Sequence, residues 1–247
     1  MKKKPLTPDN LLVLYEDNHL LVVNKPAGTL VQGDKTGDEP LVEVGKKYIK
    51  DKYNKPGKVF LGVVHRLDRP VSGVLLFART SKALERMNKQ FRNRDTNKIY
   101  WAIVKKRPPK QNDTLTHWLL KDNTKNTVKA FDHPVEGAQK ATTHYRNLGK
   151  LNDHFLLEVR PVTGRPHQIR VQLASMGCPI RGDLKYGFSK ANPDGNINLH
   201  ARQLMIGHPT QKEEMKFTAP LPDDLFWEQF LTLDPVKIKD KDIDKLW

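Results

Sequence analysis

Val63-Val64-His65-Arg66-Leu67-Asp68-Arg69-Pro70-Val71-Ser72-Gly73-Val74-Leu75-Leu76-Phe77 sets two apolar, β-prone runs, residues 59–64 and 74–78, on either side of a polar turn. The pattern predicts strand, loop, strand. Loops held by a rigid scaffold carry a disproportionate share of catalytic groups. An acid set between two arginines on such a loop makes Asp68 the candidate reactive group. Taken alone, Arg66 and Asp68 also read as an ion pair pinning a turn, with Ser72 and Gly73 supplying ordinary turn chemistry.

Charge gives the second clue. The 247 residues hold 43 Lys and Arg against 28 Asp and Glu, a net charge of +15, which predicts a polyanionic partner. Between Lys82 and Lys110 there are ten basic and two acidic residues, interleaved with Phe91, Tyr100 and Trp101. This reads as a nucleic-acid track in which Lys89 and Arg92 take part. Cys178 stands alone, so an internal disulfide and a multi-cysteine metal site are excluded, and a reducing cytoplasm fits. Met1-Lys2-Lys3-Lys4 resembles the start of a signal peptide, but Glu16-Asp17-Asn18-His19 interrupts the apolar run that follows. No stretch approaches the ~20 apolar residues of a membrane span. The expectation is a soluble, cytoplasmic monomer of one domain that binds no metal and no membrane.

Along the chain, residues 11–15 and 20–23 predict a hairpin ending in the turn Lys25-Pro26-Ala27-Gly28. Lys25 there reads as a solvated turn lysine or as a phosphate contact. Residues 41–50 have helical character. Thr80-Ser81 predicts a helix cap, after which Leu84, Met87 and Phe91 fall on one face. Residues 98–104 alternate as a strand that puts Tyr100 and Trp101 on opposite faces. From 114 to 160, β-prone pieces separated by polar turns predict an antiparallel meander; His117, His133, His144 and His154 lack metal-ligand spacing in it.

The next helix carries a physical argument of its own. Pro166 suits a first helical turn, Ile169, Leu173 and Met176 recur at helical spacing, and Gly177 is placed to end it. Arg165, His167 and Arg170 then crowd the helix N-terminus, where the backbone dipole already disfavours positive charge. An anion belongs there, either RNA phosphate or a carboxylate such as Asp68.

His65-Arg66-Leu67-Asp68 followed by Val71-Ser72-Gly73-Val74-Leu75-Leu76 resembles the central motif of the RluA family of RNA pseudouridine synthases. Asn24-Lys25-Pro26-Ala27-Gly28, Lys98-Ile99-Tyr100-Trp101-Ala102 and Gly164-Arg165-Pro166-His167-Gln168-Ile169-Arg170-Val171 are similar to its other motifs. Gly182-Asp183-Leu184-Lys185-Tyr186-Gly187, Leu199-His200-Ala201 and Phe217-Thr218-Ala219-Pro220-Leu221-Pro222 follow in the family order. Pro166 stands where Thr is commoner, and no separate RNA-binding module precedes the motifs. The resemblance spans roughly residues 10–230. It divides the chain into a basic N-terminal extension (1–10), a pseudouridine synthase catalytic domain (11–230) and a charged C-terminal tail (231–247).

The resemblance implies an α/β fold of the α+β type: a bent, mainly antiparallel mixed sheet with flanking helices and a central RNA-binding cleft. It implies site-specific isomerisation of uridine to pseudouridine in structured ribosomal or transfer RNA, with no cofactor. Asp68 would be the nucleophile, Tyr100 the base-stacking and proton-relaying ring, and Arg170 the cation beside the aspartate. Arg66 would fill the gap left by the flipped base, Ile169 would pack on that base, and His65, Arg69, Arg165 and His167 would line the RNA. The residue types suit this chemistry. A carboxylate, unlike a serine, needs no partner base to act as a nucleophile. Two other classes remain: an RNA-binding protein of the same fold without catalysis, and a hydrolytic carboxylate enzyme. The first would have lost Asp68, Tyr100 or Arg170, and all three are present. The second needs a pair of acids or a metal, and the central motif holds no second acid.

Overall fold

The computed structural model describes residues 5–211 and 213–233. The chain runs through β1 (Val13–Glu16), β2 (Leu20–Lys25), α1 (Leu41–Lys52), β3 (Gly62–Val63), β4 (Ser72–Ala78), α2 (Ser81–Asn93) and β5 (Asn97–Val104). It continues through β6 (Asn112–Asp122), β7 (Thr127–Phe131), β8 (Gln139–Leu151), β9 (His154–Pro161), α3 (Gln168–Ser175), β10 (Leu199–Gly207), β11 (Glu214–Thr218) and α4 (Leu225–Glu228). Strand pairing is mainly antiparallel, with β4 and β10 a parallel pair, so the fold is α+β. The described residues form two compact units. One holds those up to Tyr100 together with Asn192–Pro220, the other Trp101–Ala191 together with those from Leu221.

In the first unit β2 and β4 pair antiparallel from Leu20 opposite Ala78 to Lys25 opposite Gly73. Every residue of β4 is buried, as expected of an apolar run covered on both faces. The other edge of β4 is shared. β10 takes Ser72 and Gly73, and β3 takes Phe77 and Ala78. Residues 59–64 therefore yield only a two-residue strand, shorter than the sequence pattern predicts. Gly73 is where β10 comes nearest. A Cβ there would lie 2.2 Å from the Ala201 carbonyl oxygen, so no residue but glycine fits. α2 begins as its sequence predicts, with the Thr80 hydroxyl accepting from the Ala83 amide at 3.1 Å. Met87 from this helix joins Leu20, Val22, Val74, Leu76, Leu204 and Ile206 in the core.

In the second unit the strands lie in the order β9-β8-β6-β7. A sequential meander would have put β7 between β6 and β8. Instead the long β8 pairs with β6 from Gln139 to Arg146, and the short β7 is left on the outer edge of β6. α3 lies on this sheet, with Val171 against Leu119, Val128 and Ala141. Two glutamines fasten it: Gln172 donates to the carbonyls of Leu115 (3.1 Å) and Ala141 (3.3 Å), and Gln168 to that of Thr142 (3.0 Å). The helix starts two residues later than the proline signal predicts. His167 takes a left-handed backbone (φ 52°), which keeps Pro166 in the preceding turn. It ends where predicted, with Gly177 at φ 81° and the Cys178 amide donating back to the Leu173 carbonyl at 2.9 Å. Of the expected tail, Leu231–Leu233 completes a 3-10 turn after α4, and residues 234–247 lie outside the described residues. So do residues 1–4 of the expected basic extension.

Candidate active site

The Asp68 turn is tied down by its backbone. The Val71 amide donates to the Asp68 carbonyl at 3.0 Å, closing the turn. The next three carbonyls are each captured. Arg69 O accepts from the Gly28 amide (2.8 Å), Pro70 O from the Ile197 amide (3.4 Å) and Val71 O from Lys25 Nζ (2.7 Å). Lys25 Nζ also donates to Arg69 O and Pro26 O, each at 3.1 Å. Lys25 is 0% exposed, so it is neither a solvated turn lysine nor a phosphate contact. Its ammonium satisfies carbonyls that the turn directs inward, and so holds the backbone that presents Asp68.

The residues flanking Asp68 take different parts. Arg66 is exposed. Arg69, expected on RNA, reaches back to the Gly28 carbonyl at 3.0 Å and to Asp38 at 2.5 Å. The His65 ring stacks on Phe91 with centroids 5.0 Å apart, and its Nε2 accepts the Leu76 amide at 3.1 Å. That amide lies on the stretch of β4 edge between β3 and β10. Only an unprotonated nitrogen accepts, and burial, aided by the Lys98 charge, pushes the imidazole down to about 3. Behind the turn, Ser72 Oγ and His200 Nδ1 are 2.8 Å apart and buried, and burial pushes His200 down to about 3 as well.

Tyr100 lies where the first unit ends. Burial first, then the nearby Asp68 carboxylate, push its hydroxyl above the ordinary tyrosine value. The structure thus places the Tyr100 hydroxyl within electrostatic reach of Asp68. On α2, Lys89 and Arg92 are exposed and enter no ion pair among the described residues. Two other members of the basic run are engaged locally: Arg86 donates to the Pro209 carbonyl at 2.8 Å, and Lys98 lies over the Phe91 ring at 5.8 Å.

The second unit holds the remaining predicted residues. Arg170 is 5% exposed and grips Asp183 with two prongs, Nε to Oδ2 at 2.7 Å and Nη2 to Oδ1 at 2.8 Å. Asp183 is a carboxylate of the kind the crowded helix end demands, and the sequence reading missed it. Its signal was the Gly182-Asp183 step, which spacing alone does not connect to α3. Arg165 spends its amide on Gln168 Oε1 (3.0 Å) and its Nε on the Lys140 carbonyl (3.4 Å). Ile169 is buried. His167 Nδ1 lies 2.6 Å from the Tyr186 hydroxyl, a second partner the sequence reading did not assign.

Comparison with known proteins places the chain in a family. The model of the family described as RNA pseudouridylate synthase matches residues 19–175. Ribosomal large subunit pseudouridine synthase C of Vibrio cholerae is 34% identical over 226 residues, covering 89% of this chain and 68% of that protein. An uncharacterized RNA pseudouridine synthase of Synechocystis is 35% identical over 215 residues, covering 85% of this chain and 65% of that protein. Among solved structures, human RNA Pseudouridylate Synthase Domain Containing 4 superposes with a TM-score of 0.74 at 26% identity, over 90% of this chain and 92% of that one. The chain belongs to the RNA pseudouridylate synthase family, the enzymes that isomerise uridine in RNA.

Proposed function

We propose that Asp68 is the nucleophile of this synthase and that its substrate is a uridine in structured ribosomal or transfer RNA. The observation that carries the reading is the Asp68 turn itself: a carboxylate on a backbone whose next three carbonyls are all held, beside a tyrosine hydroxyl that senses its charge. A fixed attacking group lowers the entropy cost of reaching the sugar carbon. In the chemistry the family resemblance implies, Asp68 attacks the nucleoside, the glycosidic bond breaks, the uracil rotates and carbon 5 is joined to the sugar. The carbon 5 proton then has to leave. Tyr100 offers a flat ring for the uracil and a hydroxyl to relay that proton.

Arg170 serves the same reaction as a cation, and Ile169 as apolar packing for the base. Arg66, exposed beside the nucleophile, replaces the base that leaves the stack. Lys89 and Arg92, with Arg165 and His167, contact RNA. His65 and Arg69 act through the framework: one accepts a strand amide, the other hooks the turn to Gly28 and Asp38. The names of relatives such as the Vibrio cholerae protein support a ribosomal target. Deleting the gene and mapping pseudouridine across all cellular RNA tests the proposal. Loss of one or a few sites, restored by the wild-type gene and not by Asp68→Asn, is expected. An unchanged map would overturn it.

A further inference from the structure

The turn Gly182–Gly187 carries a side chain that the reaction as described leaves unused. Tyr186 touches two of the residues assigned above. Its ring centroid lies 5.1 Å from the Arg170 guanidinium carbon, on a cation that Asp183 already grips from its edge. Its hydroxyl accepts the Val128 amide at 3.0 Å and stands 2.6 Å from His167 Nδ1. A phenol has one proton to give. Beside the Val128 amide the oxygen still has a second lone pair, so it either accepts from Nδ1–H or gives its own proton to Nδ1, and in both cases the bond fixes the orientation of the His167 ring. His167 needs such a tether, because its left-handed backbone (φ 52°) is a conformation that surrounding structure must enforce. The turn is itself anchored, with Lys185 Nζ donating to the Asn126 carbonyl at 2.9 Å.

We infer that Tyr186 is a positioning residue for the isomerisation. Its ring sets the plane of the Arg170 guanidinium, and its hydroxyl holds the His167 imidazole in the orientation that presents Nε2 to the RNA. Asp183 and Tyr186 thereby clamp the two charged or polar groups at the start of α3 from one short turn. The inference rests on the role proposed for Arg170 and His167, and separates into two parts. The hydroxyl acts through His167, and the ring acts through Arg170.

The test is single-turnover conversion of total RNA from a strain lacking the gene, with RNA affinity and melting temperature measured beside it. Tyr186→Phe keeps the ring and removes the hydroxyl. It should slow conversion about ten-fold, the order of one lost hydrogen bond, while RNA affinity falls by less than the rate and the melting temperature drops only by what the orphaned Val128 amide costs, leaving the protein folded. In a His167→Asn background the same change should cost nothing further, because the group it acts through is gone. Tyr186→Leu, which also strips the ring from Arg170, should lose more in both backgrounds. A Tyr186→Phe rate within roughly two-fold of wild type, or an equal loss with and without His167, would overturn the inference. Wild-type protein that made no pseudouridine in this RNA would instead overturn the proposed function.

Discussion

The Nζ of Lys25 and the carbonyl oxygen of Val71 lie 2.7 Å apart in the buried interior, joining the end of β2 to the turn that follows Asp68. The same ammonium reaches Arg69 O and Pro26 O. Replacing Lys25 by Met keeps the length of the side chain and takes the ammonium from all three carbonyls, of which Arg69 O keeps the Gly28 amide. An unsatisfied buried acceptor costs ~1–3 kcal/mol. Lys25→Met should therefore lower the melting temperature and slow the chemical step more than it weakens RNA binding, since the turn and not the RNA surface is what loosens. Melting curves and single-turnover rates check this. An unchanged rate would mean that the turn holds its shape without the ammonium.

The Arg170–Asp183 pair makes a second prediction. Breaking a buried pair by removing one member costs ~3–5 kcal/mol, because the other charge is left in a poor environment. Asp183→Ala should lower urea stability on that scale and slow isomerisation sharply. Arg170→Lys should be intermediate, since an ammonium restores charge without the two-pronged fork. Stability of Asp183→Ala within experimental error of wild type would contradict the geometry.

Acid should unfold the protein early. The His65 and His200 imidazoles titrate near 6.5 when unfolded and near 3 when folded. Burial also pushes His117 and His154 down. The unfolded chain therefore binds protons that the folded chain refuses. Stability is full above pH 6.5 and falls as pH drops toward 3. For a fully buried histidine such as His200, the loss between pH 7 and 5 is ~2 kcal/mol. Urea midpoints at the two pH values check this, and His65→Gln should shrink the difference. Equal midpoints at pH 7 and 5 would contradict it.

RNA affinity should fall steeply and log-linearly with salt, because each phosphate contact releases counterions. Lys89→Gln with Arg92→Gln should flatten the slope by about two phosphate contacts, ~1–2 units of log affinity against log salt. Binding isotherms at four salt concentrations read it. An unchanged slope would take RNA off this face of α2.

Much of the fold is visible in local pattern. The Thr80 cap, the stripe through Met87 and the apolar run of β4 are properties of neighbouring residues, and the sequence shows them directly. Asp68 and Tyr100 are likewise picked out as candidates by motif, and the structure puts them within electrostatic reach of each other. What the sequence hides depends on partners far along the chain. Lys25 looks like a surface lysine because the carbonyls that bury it belong to residues 44 and 46 positions away. Asp183 and Tyr186 sit in a motif whose sequence gives no sign of its contacts with His167 and Arg170. The late start of that helix is set by the left-handed His167, a conformation that residue type does not reveal.

The central claim is that Asp68 is the nucleophile, and Asp68→Asn tests it most directly. The amide keeps the shape of the side chain and the turn around it, and removes the attacking oxygen anion. Single-turnover conversion on RNA from the deletion strain should drop below detection, while RNA affinity and melting temperature stay close to wild type. Turnover above a few per cent of wild type in a folded, RNA-binding Asp68→Asn protein would contradict the assignment.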